Sequence, residues 1–366
     1  MPATNKRVLL GMSGGVDSSV TAHLLKQQGF DVVGVTMKVW PQDCISRAED
    51  KCCGPSAIAD ARGVAHKLGV PHYVVDEADQ FERLVIDYFS SEYRAGRTPN
   101  PCVMCNTHIK WRALLKRADA LDCEFIATGH YAFIHRRQNG RFFLSKGVDD
   151  QKDQSYVLWG LEQDLLSRTI LPLGKYKKPE IRQMAVDYGY PELAKKSESY
   201  EICFVPDNDY RGFLKKKMPD LESNVEGGSF VDMNGNIIGK HRGYPFYTIG
   251  QRKGLDITFG KPVYVTAIHP ENNTVVLGEE KDLAGQSMMV TGLNMQKYNV
   301  APDGMEVITK IRYKDKGSLS NIYSEGNQVR VHFYEPVKSI TPGQSAVFYE
   351  GDDVVGGGII RLKPEV

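Results

Sequence analysis

The sequence predicts an α/β protein in which an N-terminal doubly wound parallel sheet is followed by a small central β-rich domain and a C-terminal β-barrel. Three observations lead there. Through the first two hundred residues short apolar runs alternate with helical patterns, the rhythm of parallel strands joined by right-handed crossovers. After about Cys203 helical periodicity fades, and turn pairs such as Asn234-Gly235, Asn272-Asn273 and Pro342-Gly343 punctuate short β-branched runs, the texture of small β domains. The chain has 366 residues, more than the roughly 250–300 that one hydrophobic core serves. The expected divisions are residues 1–207, 208–283 and 284–366.

Residues 7–10 are apolar enough for a buried strand, and residues 18–28 place Val20, Leu24 and Leu25 on one helical face. A second strand is expected over 31–37, a helix over 57–68, a strand over 72–75 and a helix over 81–89. The series continues with a helix over 106–118 and a strand over 125–128 that runs out at Gly129. Further on, β-branched runs at 274–277, 306–311, 328–333 and 346–349 read as strands. A doubly wound sheet binds its ligand at the carboxyl ends of its strands, and the chemistry is expected there.

Lysine and arginine number 46 against 45 aspartates and glutamates, a formal charge of +1. A polyanion partner must therefore be met by local patches rather than by a global field. The 41% hydrophobic and 25% charged content excludes disordered, collagenous and membrane classes. No stretch approaches the roughly 18 apolar residues of a membrane helix, and residues 1–10 lack the apolar core of a signal peptide, so a cytoplasmic protein without membrane association is expected. Seven cysteines (Cys44, Cys52, Cys53, Cys102, Cys105, Cys123 and Cys203) are an odd count without a secretion signal, which disfavours a disulfide framework and points to chemistry for some of them.

Directly after the first strand comes Gly11-Met12-Ser13-Gly14-Gly15-Val16-Asp17-Ser18-Ser19, which opens a helix. The two adjacent glycines let the backbone curl so that its N–H groups converge, the serines add hydroxyl donors, and the helix N-terminus favours negative charge. This is a phosphate cradle. A Walker A loop is excluded because no Lys-Ser/Thr follows the glycines, and a dinucleotide fingerprint because G-x-G-x-x-G is absent.

The run from Ser13 to Ser19 closely resembles the pyrophosphate loop of the ATP pyrophosphatases, an adenine nucleotide α-hydrolase-like superfamily that cleaves ATP between the α and β phosphates. The loop is joined by Arg94-Ala-Gly-Arg-Thr-Pro-Asn-Pro-Cys-Val-Met-Cys-Asn106, Ala127-Thr-Gly-His-Tyr-Ala132, Lys152-Asp-Gln-Ser-Tyr156, Glu201-Ile-Cys-Phe204, Tyr247-Thr-Ile-Gly-Gln-Arg252 and Thr341-Pro-Gly-Gln344. In this order, over essentially the whole chain, the set resembles the tRNA 2-thiouridylase family. The resemblance implies an ATP-dependent sulfurtransferase that adenylylates the C2 oxygen of the wobble uridine and then delivers sulfur to C2, releasing AMP and pyrophosphate. It implies ATP with Mg²⁺ at Gly11, Met12, Ser13, Gly14, Gly15, Val16, Asp17, Ser18, Met37 and Gly129. Cys105 and Cys203 correspond to the family's catalytic cysteines, Cys203 carrying a persulfide loaded by a sulfur carrier or cysteine desulfurase. Asn100, Pro101 and Cys102 are implied near the target base, and His130, Lys152, Asp153, Gln154, Arg312, Tyr313 and Gln344 in contact with tRNA. A monomer bound to tRNA is the expected assembly.

Where many members carry Asn-Pro-Asp, this chain has Asn100-Pro101-Cys102, which creates Cys102-x-x-Cys105 and removes the aspartate's role. Two readings of the pair stay open: dithiol redox chemistry, or, with Cys203, three thiolate ligands of a [4Fe–4S] cluster. Cys44, Cys52 and Cys53 read as part of an insertion, with zinc binding and sulfur relay as alternatives. Cys123 reads as packing, and His108 and His135 as structural. Basic clusters at Arg94 and Arg97, at Arg136, Arg137 and Arg141, at Lys175, Lys177 and Lys178, and at residues 215–217 and 240–253 are the candidate RNA contacts, with Tyr244, Phe246 and Tyr247 interleaved for stacking. Two other functions keep part of this pattern. A pyrophosphatase acting on a small metabolite leaves the thiols idle, and a non-catalytic nucleotide-sensing RNA-binding module leaves the paired cysteines unexplained.

Overall fold

A computed structural model describes residues 6–39, 54–196, 202–205, 207–257 and 260–361; Cys44, Cys52 and Cys53 lie outside them. The chain divides into two compact units. One comprises Met1–Val85, Cys102–Asn208 and Asp352–Val354, the other Ile86–Pro101, Asp209–Gly351 and Val355–Val366.

In the first unit β1 (Arg7–Gly11), β2 (Asp31–Lys38), β3 (His72–Asp76) and β4 (Phe125–Ala127) lie in one sheet. The later strands β5 (Ala132–Arg136) and β6 (Phe142–Lys146) form an antiparallel hairpin. The short strand β7 (Thr169–Ile170) completes the main sheet in the order β3-β2-β1-β4-β7, parallel throughout. Val8, Leu9 and Leu10 are fully buried, as the central strand of a sheet covered on both faces requires. Helix α1 (Val16–Gln27) presents Ala22 and Leu25 to Val8 and Leu10, and Val20 and Leu24 to Leu173, Ile181 and Ala185. Helix α2 (Pro55–Lys67), opened by Gly54 and Pro55, buries Ala61, Val64 and Ala65 in the same core as Val8. From β1 the chain steps out to β2 and β3 and later returns to β1's other side as β4, so the sheet's topological switch lies between β1 and β4.

Two expected helices are interrupted. Residues 81–89 were expected to be one helix; instead a helical turn Ala78–Phe81 runs into a π-helical segment Glu82–Ile86 and then a helix Asp87–Arg94. The second runs from Pro101–Met104 through a π-helical segment Cys105–Lys110 into a helix Trp111–Ala120. The wider turn of a π-helix leaves no separate mark in a 3.6-residue hydrophobic pattern, and such segments concentrate at functional sites.

In the second unit β8 (Ser229–Val231), β9 (Ile237–Lys240), β10 (Tyr264–His269) and β11 (Thr274–Gly278) form a sheet ordered β10-β11-β8-β9. The fading of helical pattern after Cys203 was overstated, since helices Tyr210–Lys217 and Leu221–Val225 precede this sheet. Both are short, the first is lysine-rich, and each buries few apolar side chains.

The last six strands, β12 (Ala284–Met295), β13 (Met305–Lys310), β14 (Ser318–Glu325), β15 (Gln328–Lys338), β16 (Ser345–Glu350) and β17 (Asp353–Arg361), run β12-β15-β14-β13-β16-β17 and close by β12–β17 pairing. Val290, Val307, Ile322, Phe333 and Phe348 fill the interior, as expected for a barrel too narrow for a channel. β17 escaped the sequence reading because of Gly356, Gly357 and Gly358. A Cβ at Gly356 would lie 2.6 Å from Asn294 O, and one at Gly358 2.6 Å from Thr291 O, so glycine is what lets β17 approach β12. Among the described residues no helix is long and apolar enough to cross a membrane.

Candidate active site

The loop between β1 and α1 sits at the switch point of the first unit's sheet. Gly14 holds φ +70°, and a Cβ there would lie 2.1 Å from Ala57 O, so both conformation and space demand glycine. Gly15 is the N-cap of α1, and the first N–H groups of a helix have no partner within it. Gly15 O accepts from Ser18 Oγ at 3.1 Å and Ser19 Oγ at 2.9 Å, while Ser13 N donates to Ser18 Oγ at 3.2 Å. The serines therefore brace the loop's shape, and its donor-rich end is suited to an anion.

Gly129, just past β4, is packed against this helix start. A Cβ on it would lie 2.9 Å from Asp17 C and Ser18 N. Met37 lies near the end of β2, and its neighbour Thr36 donates through Oγ1 to Met12 O at 2.7 Å. The loop, Met37 and Gly129 thus occupy the carboxyl edge of adjacent strands.

Asp17 is held by two residues to which the sequence reading gave no such role. Lys178 Nζ donates to both of its carboxylate oxygens at 2.7 Å, and Tyr131 Oη donates to Oδ1 at 2.6 Å. Lys178, expected in a surface basic cluster, has a side chain only 8% exposed, so its charge serves the loop rather than the surface. Tyr131 stood inside the quoted Ala127–Ala132 motif. Gln154 fixes it reciprocally, Oε1 accepting from Tyr131 N at 3.0 Å and Gln154 N donating to Tyr131 O at 2.9 Å. Asp153 is buried, and its carboxylate accepts from Gly147 N at 3.3 Å, Ser155 N at 3.1 Å and Ser155 Oγ at 2.8 Å. Within this unit, then, the Lys152–Tyr156 motif braces the nucleotide loop through Gln154 and Tyr131.

His130 pairs its Nδ1 with Thr128 Oγ1 at 2.9 Å and lies 5.1 Å from the Trp111 ring. Desolvation, helped by the nearby Lys110 charge, pushes its pKa down to about 3, so the imidazole is neutral at physiological pH.

Both thiol-bearing segments reach the same short helix. Ala78–Phe81 follows β3, anchored by Glu77 N donating to Lys38 O at 2.9 Å. The π-helical segment Cys105–Lys110 packs on this helix, and Phe204, next to Cys203, meets Phe81 edge to face with centroids 5.8 Å apart. Cys105 is buried, Cys203 partly buried and Cys102 exposed. Beside Cys105, Asn106 Oδ1 and Thr107 Oγ1 are buried without a hydrogen-bond partner among the described residues. Buried polar atoms ordinarily find a partner in protein or water, and no sequence pattern announced these two.

The donor set does not fit an iron–sulfur cluster. Among the described residues no three His, Cys, Asp or Glu side chains are grouped to hold a metal, and Cys102, Cys105 and Cys203 are all described. Cys123 is buried with its thiol pKa raised by desolvation, an unreactive packing residue.

In the second unit Arg312 and Tyr313 are exposed on a turn closed by Ile311 N donating to Asp315 Oδ2 at 3.0 Å. Gln344 is turned to the backbone of Thr98 and Pro99, directly ahead of Asn100 and Pro101. Several candidate RNA-binding cations are committed elsewhere: Arg94 to Asp220, Arg97 to Glu92, Lys215 to Glu222, Lys217 to Asp87 and Arg242 to Asp256.

Family comparison matches residues 6–207 to a tRNA methyl transferase HUP domain, 211–279 to a tRNA methyl transferase PRC-barrel domain and 286–360 to an aminomethyltransferase β-barrel domain. The tRNA-specific 2-thiouridylase MnmA of Cytophaga hutchinsonii is 57% identical, covering 97% of each chain. That of Amoebophilus asiaticus is 56% identical over 98% of this chain and 96% of its own. That of Salinibacter ruber is 52% identical over 97% and 94%. With such identity along nearly the full length, and with the nucleotide loop and both cysteine segments in one α/β unit, the chain belongs to the tRNA-specific 2-thiouridylase family of sulfurtransferases.

Proposed function

We propose that this chain adenylylates the wobble uridine of tRNA with ATP and replaces its C2 oxygen by sulfur carried on Cys203. The uridine C2 oxygen attacks the α phosphorus, the bond to the β-phosphate oxygen breaks, and pyrophosphate leaves on the loop 11–18. Convergent N–H groups and the start of α1 stabilise the charge growing on that leaving group, and Mg²⁺ accompanies the triphosphate as part of the substrate. Met37 and Gly129 border the nucleotide. Asp17, fixed by Lys178 and Tyr131, holds the loop in register.

A persulfide-bearing protein loads Cys203 as Cys203–S–SH. The Cys105 thiolate attacks the Cys203 sulfur, forming a Cys105–Cys203 disulfide and releasing hydrosulfide. Hydrosulfide adds at C2 of the adenylylated uridine, and AMP departs with the former C2 oxygen. A thiol reductant then restores both cysteines. Asn100, Pro101 and Cys102 border the base, while His130, Lys152, Arg312 and Tyr313 contact the RNA, with Asp153 and Gln154 behind them. Flipping a loop uridine costs less than extracting a paired one, and one chain suffices for the cycle.

The observation that supports this reading best is the packing of the Cys105 and Cys203 segments on Ala78–Phe81, at the sheet edge that also bears the nucleotide loop. Cys203→Ser is expected to abolish 2-thiouridine formation while ATP and tRNA binding persist. Thiolation at the wild-type rate by that variant, measured by nucleoside analysis of the tRNA, excludes the persulfide route.

A further inference from the structure

Residues 97–100 lie between the helix Asp87–Arg94 and the helical turn at Pro101, and have no regular secondary structure. Thr98 and Asn100 each precede a proline, which biases both toward extended backbone. A short extended loop makes no ladder of its own, so its polar groups and its shape must be supplied from outside.

Within the second unit that supply comes largely from the Thr341–Gln344 turn. Thr98 N donates to Pro342 O at 2.9 Å. Gln344 Nε2 donates to Thr98 O at 2.9 Å and to Pro99 O at 3.1 Å. Gly343, at φ +90°, lies so close that a Cβ on it would be 2.9 Å from Thr98 O. The turn is itself tied to the last barrel strand, Gly343 N donating to Ile360 O at 3.0 Å and Ile360 N to Gln344 O at 2.8 Å. One amide group that serves two consecutive carbonyls can do so for only one course of the loop.

We infer that Gln344 is a positioning residue: from the C-terminal barrel it fixes the backbone of Thr98 and Pro99, and so sets how Asn100 and Pro101 are presented to the target base. Its amide donors are spent on protein carbonyls, which distinguishes this role from the tRNA contact implied by resemblance. The inference rests on the reading of Asn100 and Pro101 as neighbours of the target base.

Gln344→Glu keeps the shape but replaces the donors with a carboxylate facing two carbonyls, whereas Gln344→Lys restores a donor. Single-turnover 2-thiouridine formation is measured with a wobble-uridine tRNA transcript, ATP with Mg²⁺ and persulfide-loaded protein, rates being normalised to tRNA-binding sites and Kd taken by filter binding. Gln344→Glu is expected to slow the step at saturating tRNA by roughly tenfold or more with Kd within about twofold, and Gln344→Lys to recover most of the loss. The inference is overturned if the Glu variant keeps the wild-type rate, if saturating tRNA restores it, or if Lys is no better than Glu. An Asn100→Ala control with full activity instead removes the underlying reading.

Discussion

His130 shows how burial decides what a histidine can do. Its resemblance to an RNA-contacting position implies no charge state, but enclosure beside Trp111 and near Lys110 pushes its pKa down to about 3, so the ring is neutral at physiological pH and any hydrogen bond it makes is that of an uncharged imidazole. The unfolded chain takes up this proton near pH 6.5, so between about pH 6.5 and 3 the unfolded state binds more protons than the folded one. Stability is therefore complete above that window and declines as pH falls through it, by at most about 1.4 kcal/mol per pH unit from this residue. His23, His72, His108 and His241 are shifted in the same direction by desolvation. Urea unfolding of His130→Asn at pH 7 and 5 is expected to show a shallower decline than wild type; parallel declines refute the assignment. Motif matching placed His130, Asp153 and Gln154 at the site but not the task of each. Hydrogen bonds show Asp153 and Gln154 bracing the fold from within, which residue identity alone does not reveal.

Among the elements, the short helix Ala78–Phe81 has consequences out of proportion to its length. Phe81 is 1% exposed and meets Phe204, while the helix carries the Cys105–Lys110 segment. Truncating a buried phenylalanine of this kind costs about 3–5 kcal/mol, and here it also loosens the common support of both thiol segments. Phe81→Ala is expected to lower stability by that amount in urea unfolding. The milder Phe81→Leu, still folded, is expected to slow thiolation while leaving ATP binding intact, and an unchanged rate argues against the shared platform. The strands and helices around this element were legible because β1, β2 and α1 carry continuous or periodic apolar runs. The π-helical segments and the glycine-rich β17 were not, since their geometry answers to neighbouring backbone rather than to any hydrophobic period.

At the scale of the molecule, a net charge of +1 leaves tRNA binding to local patches, and ion pairing trims several of those. Cations already paired release fewer counterions on contact with phosphate, so log Kd is expected to rise with log salt less steeply than a count of all the basic clusters implies. Filter binding across a salt series measures the slope. A flat response removes the electrostatic footprint, and a slope matching every cluster removes the argument from pairing. By itself the amino-acid sequence determined the α/β-then-β order, the glycine-serine loop between β1 and α1, and the family to which the chain belongs, because these depend on local periodicity, on glycine's freedom and on motifs read within a few residues. Only the tertiary structure decided that Lys178 and Tyr131 hold Asp17, that the helix Ala78–Phe81 packs against the segments of Cys105 and Cys203, that three thiols do not assemble as a cluster site, and that Gln344 faces a loop 245 residues away. Those are contacts between residues far apart in the chain, chosen by how strands and helices pack, and no local pattern carries them.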